Sequence, residues 1–497
     1  TLFPYTTLFR SVIKNNAKDL KIVYTPLHGT GNIPVQTILE QLGFANVYVV
    51  PEQEKPNGDF PTVSYPNPED PKAFKIAIDL AKKIEADIVL ANDPDADREG
   101  MFVRDNNGEY IRFNGNMTSV IIAEYLFSQM KEKNILPENG AMIKTIVSSN
   151  LADAIAKVYN LKLYKTLTGF KHMAKVIREN EEHNGPKVLF SYEESFGCII
   201  GTHVRDKDGI VAIMSLCELA AFYKNKGISV YEQMQNIYKK YGYYLEDQHV
   251  IMVKGAEGAQ KIKEIMGNLR NNPLQKIGRY NAVSISDYEQ KKHKNLKTGE
   301  EKETTLPKSN VIYYELENEN WCCIRPSGTE PKIKMYFGVK ESSHEKAKEN
   351  LESLKSEMIK IVERKLNENY NLDSYTNIIA GKSGVVRKIY AEDGEKQDEL
   401  NTYVFKDSMN LCNISWHYQN ADKKILNDLN LEIYKGQSIG IIGQSGAGKS
   451  TLADVILGLH VPQNGEVGVS PEKGYRSISS PQILYPGTVI LKKNRKQ

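Results

Sequence analysis

From Lys21 onward, short apolar runs alternate with stretches in which apolar residues recur every three or four positions. KIVYTPL, NVYVV and DIVLAND read as strands, while PVQTILEQLG and AFKIAIDLAKKIEA have the helical period. This alternation predicts a mostly parallel sheet with helices on both faces and places ligands outside the carboxyl ends of its strands. The pattern returns from Asn116 to about Tyr244, with AMIKTIVSS, LKLYKTLTG and KVLFSYEES as strands. After Glu246 it gives way to a strand-rich, lysine-rich stretch with a helix near residues 343 to 367. Residues 369–405 are polar and without period, and a new strand pattern starts at Met409 with LCNISWHY and LNLEI. The expected class is α/β: repeated mixed or parallel αβα-sandwich domains over 12–113 and 114–245, an α+β domain over 246–368, a linker over 369–405 and a further α/β module over 406–497.

Composition agrees with several ordinary globular cores, since 40% of the 497 residues are hydrophobic and 26% are charged. A formal net charge of +3 is too small a bias to imply a nucleic-acid partner, and points to a small ligand. No apolar run approaches the roughly 18 residues needed to span a bilayer. The five cysteines form no C-x-x-C pair and no zinc or disulfide spacing, which fits a reducing cytoplasm. The opening TLFPYTTLFRS has no basic n-region or continuous apolar h-region, so it is not read as a secretory signal. It reads as translated adapter sequence, and residues 1–11 are set aside as an artefact. Both ends are read as truncated, the second because LKKNRKQ directly follows Pro486-Gly487-Thr488.

Three loops that follow strands carry the chemistry. In ADIVLANDPDADREG, Asp93, Asp95 and Asp97 alternate in a tight loop, and three hard oxygens with small spacers suit magnesium. The EF-hand pattern fails, because Arg98 stands where it needs glycine and Arg104 where it needs glutamate. The alternative is an acidic turn capping a helix. The second loop, SYEESFG, offers Glu193 and Ser195, an acceptor and a hydroxyl matched to adjacent sugar hydroxyls. In the third, RPSGTEPK, the Arg325 fork, the Ser327 and Thr329 hydroxyls and the Gly328 backbone suit a phosphate; the alternative is an ordinary surface turn.

Together with TPLHGTGN (His28), TLTGFK (Lys171) and VRDKDG (Arg205, Lys207), and in this order, these loops resemble the phosphohexomutase family of phosphoglucomutases and phosphomannomutases over residues 12 to about 367. The resemblance implies that Asp93, Asp95 and Asp97 hold Mg2+, that Glu193 and Ser195 bind sugar hydroxyls, and that Arg325, Ser327, Gly328 and Thr329 bind the non-transferred phosphate. It places Arg98 beside the reacting phosphate and Lys171 and Lys207 against the substrate, with Lys207 a candidate proton carrier. The implied reaction interconverts hexose 1-phosphate and hexose 6-phosphate through hexose 1,6-bisphosphate, starting from a phosphoserine. That serine lies in a T-x-S-H-N-P loop of a preceding domain, and these 497 residues do not contain the loop. Ser64 lacks the histidine and Ser343 lies in the last domain, so both are rejected as nucleophiles, and this polypeptide is expected to be inactive. His28 and His203 read equally as residues that finish strands.

At the other end, GQSGAGKST (Gly443 to Thr451) satisfies G-x-x-x-x-G-K-[ST] between the apolar run SIGIIG and the helical run TLADVILGL. Gly443, Gly446 and Gly448 would let backbone N–H groups face ATP phosphates, with Lys449 on the β and γ groups, Ser450 on magnesium and Thr451 beside it. The run resembles the nucleotide-binding domain of ABC transporters, with Tyr418 as the adenine-stacking aromatic and Gln482 as the Q-loop glutamine. Neither a Walker B carboxylate, an LSGGQ signature nor a switch histidine follows, so this partial P-loop NTPase module is expected to bind ATP weakly at most. Two alternatives stay open beside the mutase: an ATP-binding transport component with a passive front part, and a chimeric assembly product without a single function.

Overall fold

The computed structural model describes residues 17–253, 258–327, 331–368, 377–380, 386–389, 408–417, 425–434, 449–456, 462–469 and 476–477. The chain divides into two compact units, Thr1–Asn369 and Tyr370–Gln497.

The first unit begins with five strands, β1 (Lys21–Thr25), β2 (Asn46–Val49), β3 (Ile88–Asn92), β4 (Glu99–Arg104) and β5 (Tyr110–Phe113), in the order β2-β1-β3-β4-β5. β1 runs parallel to β2 and β3, but β4 and β5 are antiparallel. The sheet is therefore mixed rather than mostly parallel. The cause is local: only residues 93–98 join β3 to β4, too few for the crossover that a parallel pair needs. The next sheet joins β6 (Gly140–Thr145), β7 (Lys162–Thr166), β8 (Lys187–Glu193) and β9 (Gly197–Ile200) in the order β7-β6-β8-β9, with β9 again an antiparallel return.

Helices Gly115–Glu132 and Gly209–Asn225 are buried along nearly their whole length and belong to one core with residues of both sheets, including Ile22, Leu90, Met142 and Phe190. A helix apolar on every side needs such a two-sided setting. Both are started by side-chain caps: Asn114 accepts from the Met117 N–H and Asp208 from the Val211 N–H.

From Tyr243 the architecture changes. Strands β10 (Tyr243–Met252), β11 (Lys276–Ile277), β12 (Tyr280–Asp287), β13 (Lys292–Asn295), β14 (Glu301–Glu303), β15 (Ile312–Leu316), β16 (Trp321–Pro326) and β17 (Lys332–Glu341) form an antiparallel sheet. Helices Gly258–Asn271 and His344–Glu368 share one core with it. A smaller apolar cluster packs Trp321, Cys323 and Tyr336 of this sheet with Ile146, Val147 and Leu167, which follow β6 and β7.

In the second unit, β18 (Asn377–Ala380) pairs antiparallel with β19 (Val386–Ile389) inside the stretch read as a linker, where NIIA and VRKI are runs too brief to stand out among polar residues. Strands β20 (Ser408–Trp416), β21 (Leu426–Tyr434), β22 (Asn464–Val469) and β23 (Arg476–Ser477) form an antiparallel sheet, and a helix spans Lys449–Ile456.

Candidate active site

The loop of the three aspartates starts where β3 ends. β3 is buried throughout, so the position of Asp93 is set by the sheet. Asp93, Asp95 and Asp97 bring carboxylate oxygens within 4.8 Å of one another, with Asp93 buried, Asp95 exposed and Asp97 between. Arg98 donates its backbone N–H to Asp93 Oδ1 at 3.0 Å. Its guanidinium pairs with Glu69 at 2.8 Å and lies 3.7 Å from both Asp93 and Asp97. Burial pushes Asp93 up to about 7, and the charges of Asp97 and Asp95 add to the shift. Three converging carboxylates, one of them pushed by its surroundings toward the neutral form, are a donor set that a hard divalent cation would complete.

Lys207 crosses to this loop from the segment after β9. Its Nζ is 3.0 Å from Asp97 Oδ2 and 3.1 Å from Asp206 Oδ1, and it lies over the Phe170 ring at 5.6 Å. Burial works against its charge, but Asp97 and Asp206 outweigh it and raise its pKa, so Lys207 is an ammonium at neutral pH. The stem fits because Gly197 has no side chain: a Cβ there would lie 2.1 Å from Lys207 Cδ.

The loop of Glu193 and Ser195 begins at the end of β8. Glu193 is buried, accepts the Gly169 N–H at 2.6 Å, and stands 3.5 Å from Ser195 Oγ. Burial raises its pKa against the Gly169 N–H and the positive charges of Lys207 and Arg98. The loop is tied to the first sheet by the Glu99 N–H, which donates to the Phe196 carbonyl at 3.0 Å. Arg325, at the end of β16, donates to Thr168 Oγ1. The segment Thr168-Gly169-Phe170 thus touches Arg325, Glu193 and Lys207 in three consecutive residues. Through this segment and Lys207, the ends of β3, β8 and β16 are linked.

Not every expected residue is brought in with the same clarity. Lys171 is exposed on the first turn of helix Phe170–Glu182. Ser327 donates its backbone N–H to the Lys332 carbonyl at 2.8 Å, while Gly328 and Thr329 lie outside the described residues. Arg205 pairs with Glu181, and His203 with Asp208 at 3.0 Å. His28 is buried, with Nε2 2.8 Å from Thr62 Oγ1 and Nδ1 3.2 Å from the Lys55 carbonyl.

Residues 4–108 match the family model described as phosphoglucomutase/phosphomannomutase, alpha/beta/alpha domain II, and residues 114–241 match domain III of the same series. Both regions are therefore similar to domains of phosphoglucomutases and phosphomannomutases. The first match begins within the segment 1–11 set aside above, which lies outside the described residues. The phosphoglucomutase of Staphylococcus saprophyticus is 36% identical over 324 residues, covering 65% of this chain and 58% of that protein. That of Staphylococcus epidermidis is 38% identical over 324 residues, with the same 65% and 58% coverage. The chain therefore spans less than two thirds of the length of these relatives. The open form of pp63/parafusin, a phosphoglucomutase from Paramecium, shares the fold with a TM-score of 0.50 and 20% identity over 74% of this chain and 60% of that one. Residues 426–485 match the ABC transporter model.

Within the first unit, the sequence pattern does not single out Thr168, Gly169 or Glu69. The first two lie inside the quoted TLTGFK, but nothing in the chain pattern pairs Gly169 with a carboxylate 24 positions away or Thr168 with an arginine 157 positions away. Glu69 had no local signal. In the ABC-like stretch, a helix spans Lys449–Ile456 and Thr451 is buried. Tyr418, Gly443, Gly446, Gly448 and Gln482 lie outside the described residues. No helix among the described residues is long and apolar enough to cross a membrane.

Proposed function

We propose that residues 12–368 bind a hexose phosphate and Mg2+ for the interconversion of hexose 1-phosphate and hexose 6-phosphate. The observation that carries this reading is the meeting of Lys207, Glu193 and Arg325 at Thr168-Gly169-Phe170. In it, Arg325 and the Ser327 to Thr329 loop hold the phosphate that stays on the sugar, and Glu193 and Ser195 accept and orient sugar hydroxyls. Asp93, Asp95 and Asp97 would hold Mg2+, which supplies positive charge beside a phosphoryl group in transfer. Arg98 and Lys207 add fixed positive charge at the same place, which stabilises charge developing on phosphoryl oxygens. Because Asp97 and Asp206 keep Lys207 protonated, we assign it to charge stabilisation first; proton carriage would require Asp97 to turn to the metal and release it. Lys171 would reach the substrate from the mouth of the site.

A polypeptide of these 497 residues contains no T-x-S-H-N-P serine loop, so binding without turnover is expected of it. The five thiols are all unpaired, which fits work in a reducing compartment. For the ABC-like stretch we propose no more than weak ATP contact through Lys449, Ser450 and Thr451.

Calorimetry with glucose 1,6-bisphosphate in the presence of magnesium tests the reading. Binding is expected, and Glu193→Gln should weaken it by about tenfold, the cost of a charged hydrogen-bond acceptor. Equal affinity of the variant would remove the sugar-loop assignment, and turnover abolished by replacing any serine of the chain would remove the expectation of inactivity.

A further inference from the structure

β1 and β3 are parallel neighbours in register, with Thr25 opposite Ala91, so the loops that follow them leave the sheet side by side. The loop after β1, residues 26–31, meets the metal loop at Pro94, the residue between Asp93 and Asp95. The Thr30 N–H donates to the Pro94 carbonyl at 2.8 Å, and Thr30 Oγ1 donates to the same oxygen at 3.1 Å. Gly29 lies flat against this proline: a Cβ at Gly29 would be 2.3 Å from Pro94 Cα and 2.5 Å from its carbonyl oxygen. No side chain fits there without displacing the backbone between two of the three carboxylates.

The approach is held in place from behind. Leu27 and His28 both adopt left-handed backbone, with φ of 46° and 61°, a conformation that non-glycine residues take only when their surroundings impose it. Here the surroundings are explicit. Thr25 Oγ1 accepts the Leu27 N–H at 3.1 Å, and the His28 N–H donates to the Gln53 carbonyl at 2.9 Å. The His28 ring is fixed at both nitrogens by Thr62 and the Lys55 carbonyl. His28, unused by the substrate site, thus anchors a strained turn whose tip presses on the metal loop.

We propose that loop 26–31, through Gly29 and Thr30, positions the carboxylates of Asp93 and Asp95 for a divalent cation. The inference rests on the magnesium reading of Asp93, Asp95 and Asp97 and goes beyond it by assigning the orienting groups. Gly29 and Thr30 are positioning residues, since they act through Pro94 and touch neither metal nor substrate. By fixing the Pro94 peptide they fix where the two flanking side chains begin, so the loop need not reorganise when the cation arrives.

The test is Mn2+ titration of the full chain, read as loss of the free hexaaqua-Mn2+ signal in electron paramagnetic resonance, beside the melting temperature in EDTA. Thr30→Val should weaken Mn2+ binding about fivefold, the worth of one hydrogen bond, while leaving the EDTA melting temperature unchanged. Thr30→Ser, which keeps the hydroxyl, should restore the affinity. Gly29→Ala should weaken it by about tenfold or more, as loss of an outer-shell partner does; if this variant does not fold, the threonine pair decides. Asp95→Asn separates the two levels of the argument. Unchanged Mn2+ affinity in Asp95→Asn overturns the metal reading itself. Loss of affinity in Asp95→Asn with unchanged affinity in Thr30→Val overturns the positioning role alone.

Discussion

The loops proposed for metal and for phosphate both follow a strand of an otherwise apolar core, but they are built differently. The proposed metal loop draws its carboxylates from one short connection, Asp93 to Asp97, although Thr30 on Pro94 and Lys207 on Asp97 brace it from elsewhere. The phosphate site proposed around Arg325 is not local even in that sense. Arg325 donates to Thr168, in the segment after β7, and Trp321 and Cys323 of its strand pack with Tyr336 on the segments after β6 and β7. One half of the site is local and carries an excess of negative charge; the other is assembled across two sheets. Cation binding should therefore survive changes that abolish anion binding, and the reverse should also hold.

The largest expected effect breaks the halves apart. Arg325→Ala should lower affinity for inorganic phosphate by about ten- to hundredfold, the loss of hydrogen bonds from a charged fork. The rise in melting temperature produced by magnesium should stay as in the parent chain. A smaller magnesium response in this variant would show that the halves are coupled.

A second difference lies in pH. Burial raises Asp93 to about 7 from its ordinary 3.8, so folding favours its neutral form. That contribution to stability is present below pH 4 and is lost as pH climbs through about 7. Magnesium needs the ionised form, so its affinity should grow by up to about tenfold per pH unit below 7 and then level off. Sulfate, whose charge is constant over the same range, should bind the Arg325 cradle with little pH dependence. Melting curves at pH 5.5, 7 and 8.5 with each ion read both halves; a flat magnesium response would mean that Asp93 is already ionised in the free protein.

The smallest effect sharpens the account of the assembled half. Thr168→Val removes the hydroxyl oxygen that accepts the Arg325 N–H and should weaken phosphate binding about fivefold, with magnesium unaffected. Calorimetry with phosphate decides it, and unchanged affinity would mean that packing alone places Arg325.

The same contrast explains what was legible in the sequence. Alternating aspartates after an apolar run announce themselves, because the strand and the three carboxylates are adjacent in the chain. Glu193, Ser195 and Arg325 were legible as residue types at strand ends, but their partners Gly169 and Thr168 were not, since sheet order decides which loops meet. The antiparallel return of β4 was missed although the six residues 93–98 leave no room for a crossover. Helix Gly258–Asn271 was hidden for another reason: its buried Ile262, Ile265, Met266 and Leu269 have helical spacing, but they are interleaved with lysines in a stretch dominated by strands.

The boundary drawn at residues 113 and 114 is one of connectivity, and the shared core gives it a mechanical meaning. Helices Gly115–Glu132 and Gly209–Asn225 present apolar surface to two sheets at once, so neither sheet can leave without stripping them. Each large side chain uncovered would cost roughly 1.5 to 3 kcal/mol, a sum that no marginally stable fragment withstands. A fragment cut after Phe113 would lose the cover of its own sheet and present a sticky face to its neighbours. Expressed alone, it would collect as aggregate, and in the intact chain a protease would find no early nick there.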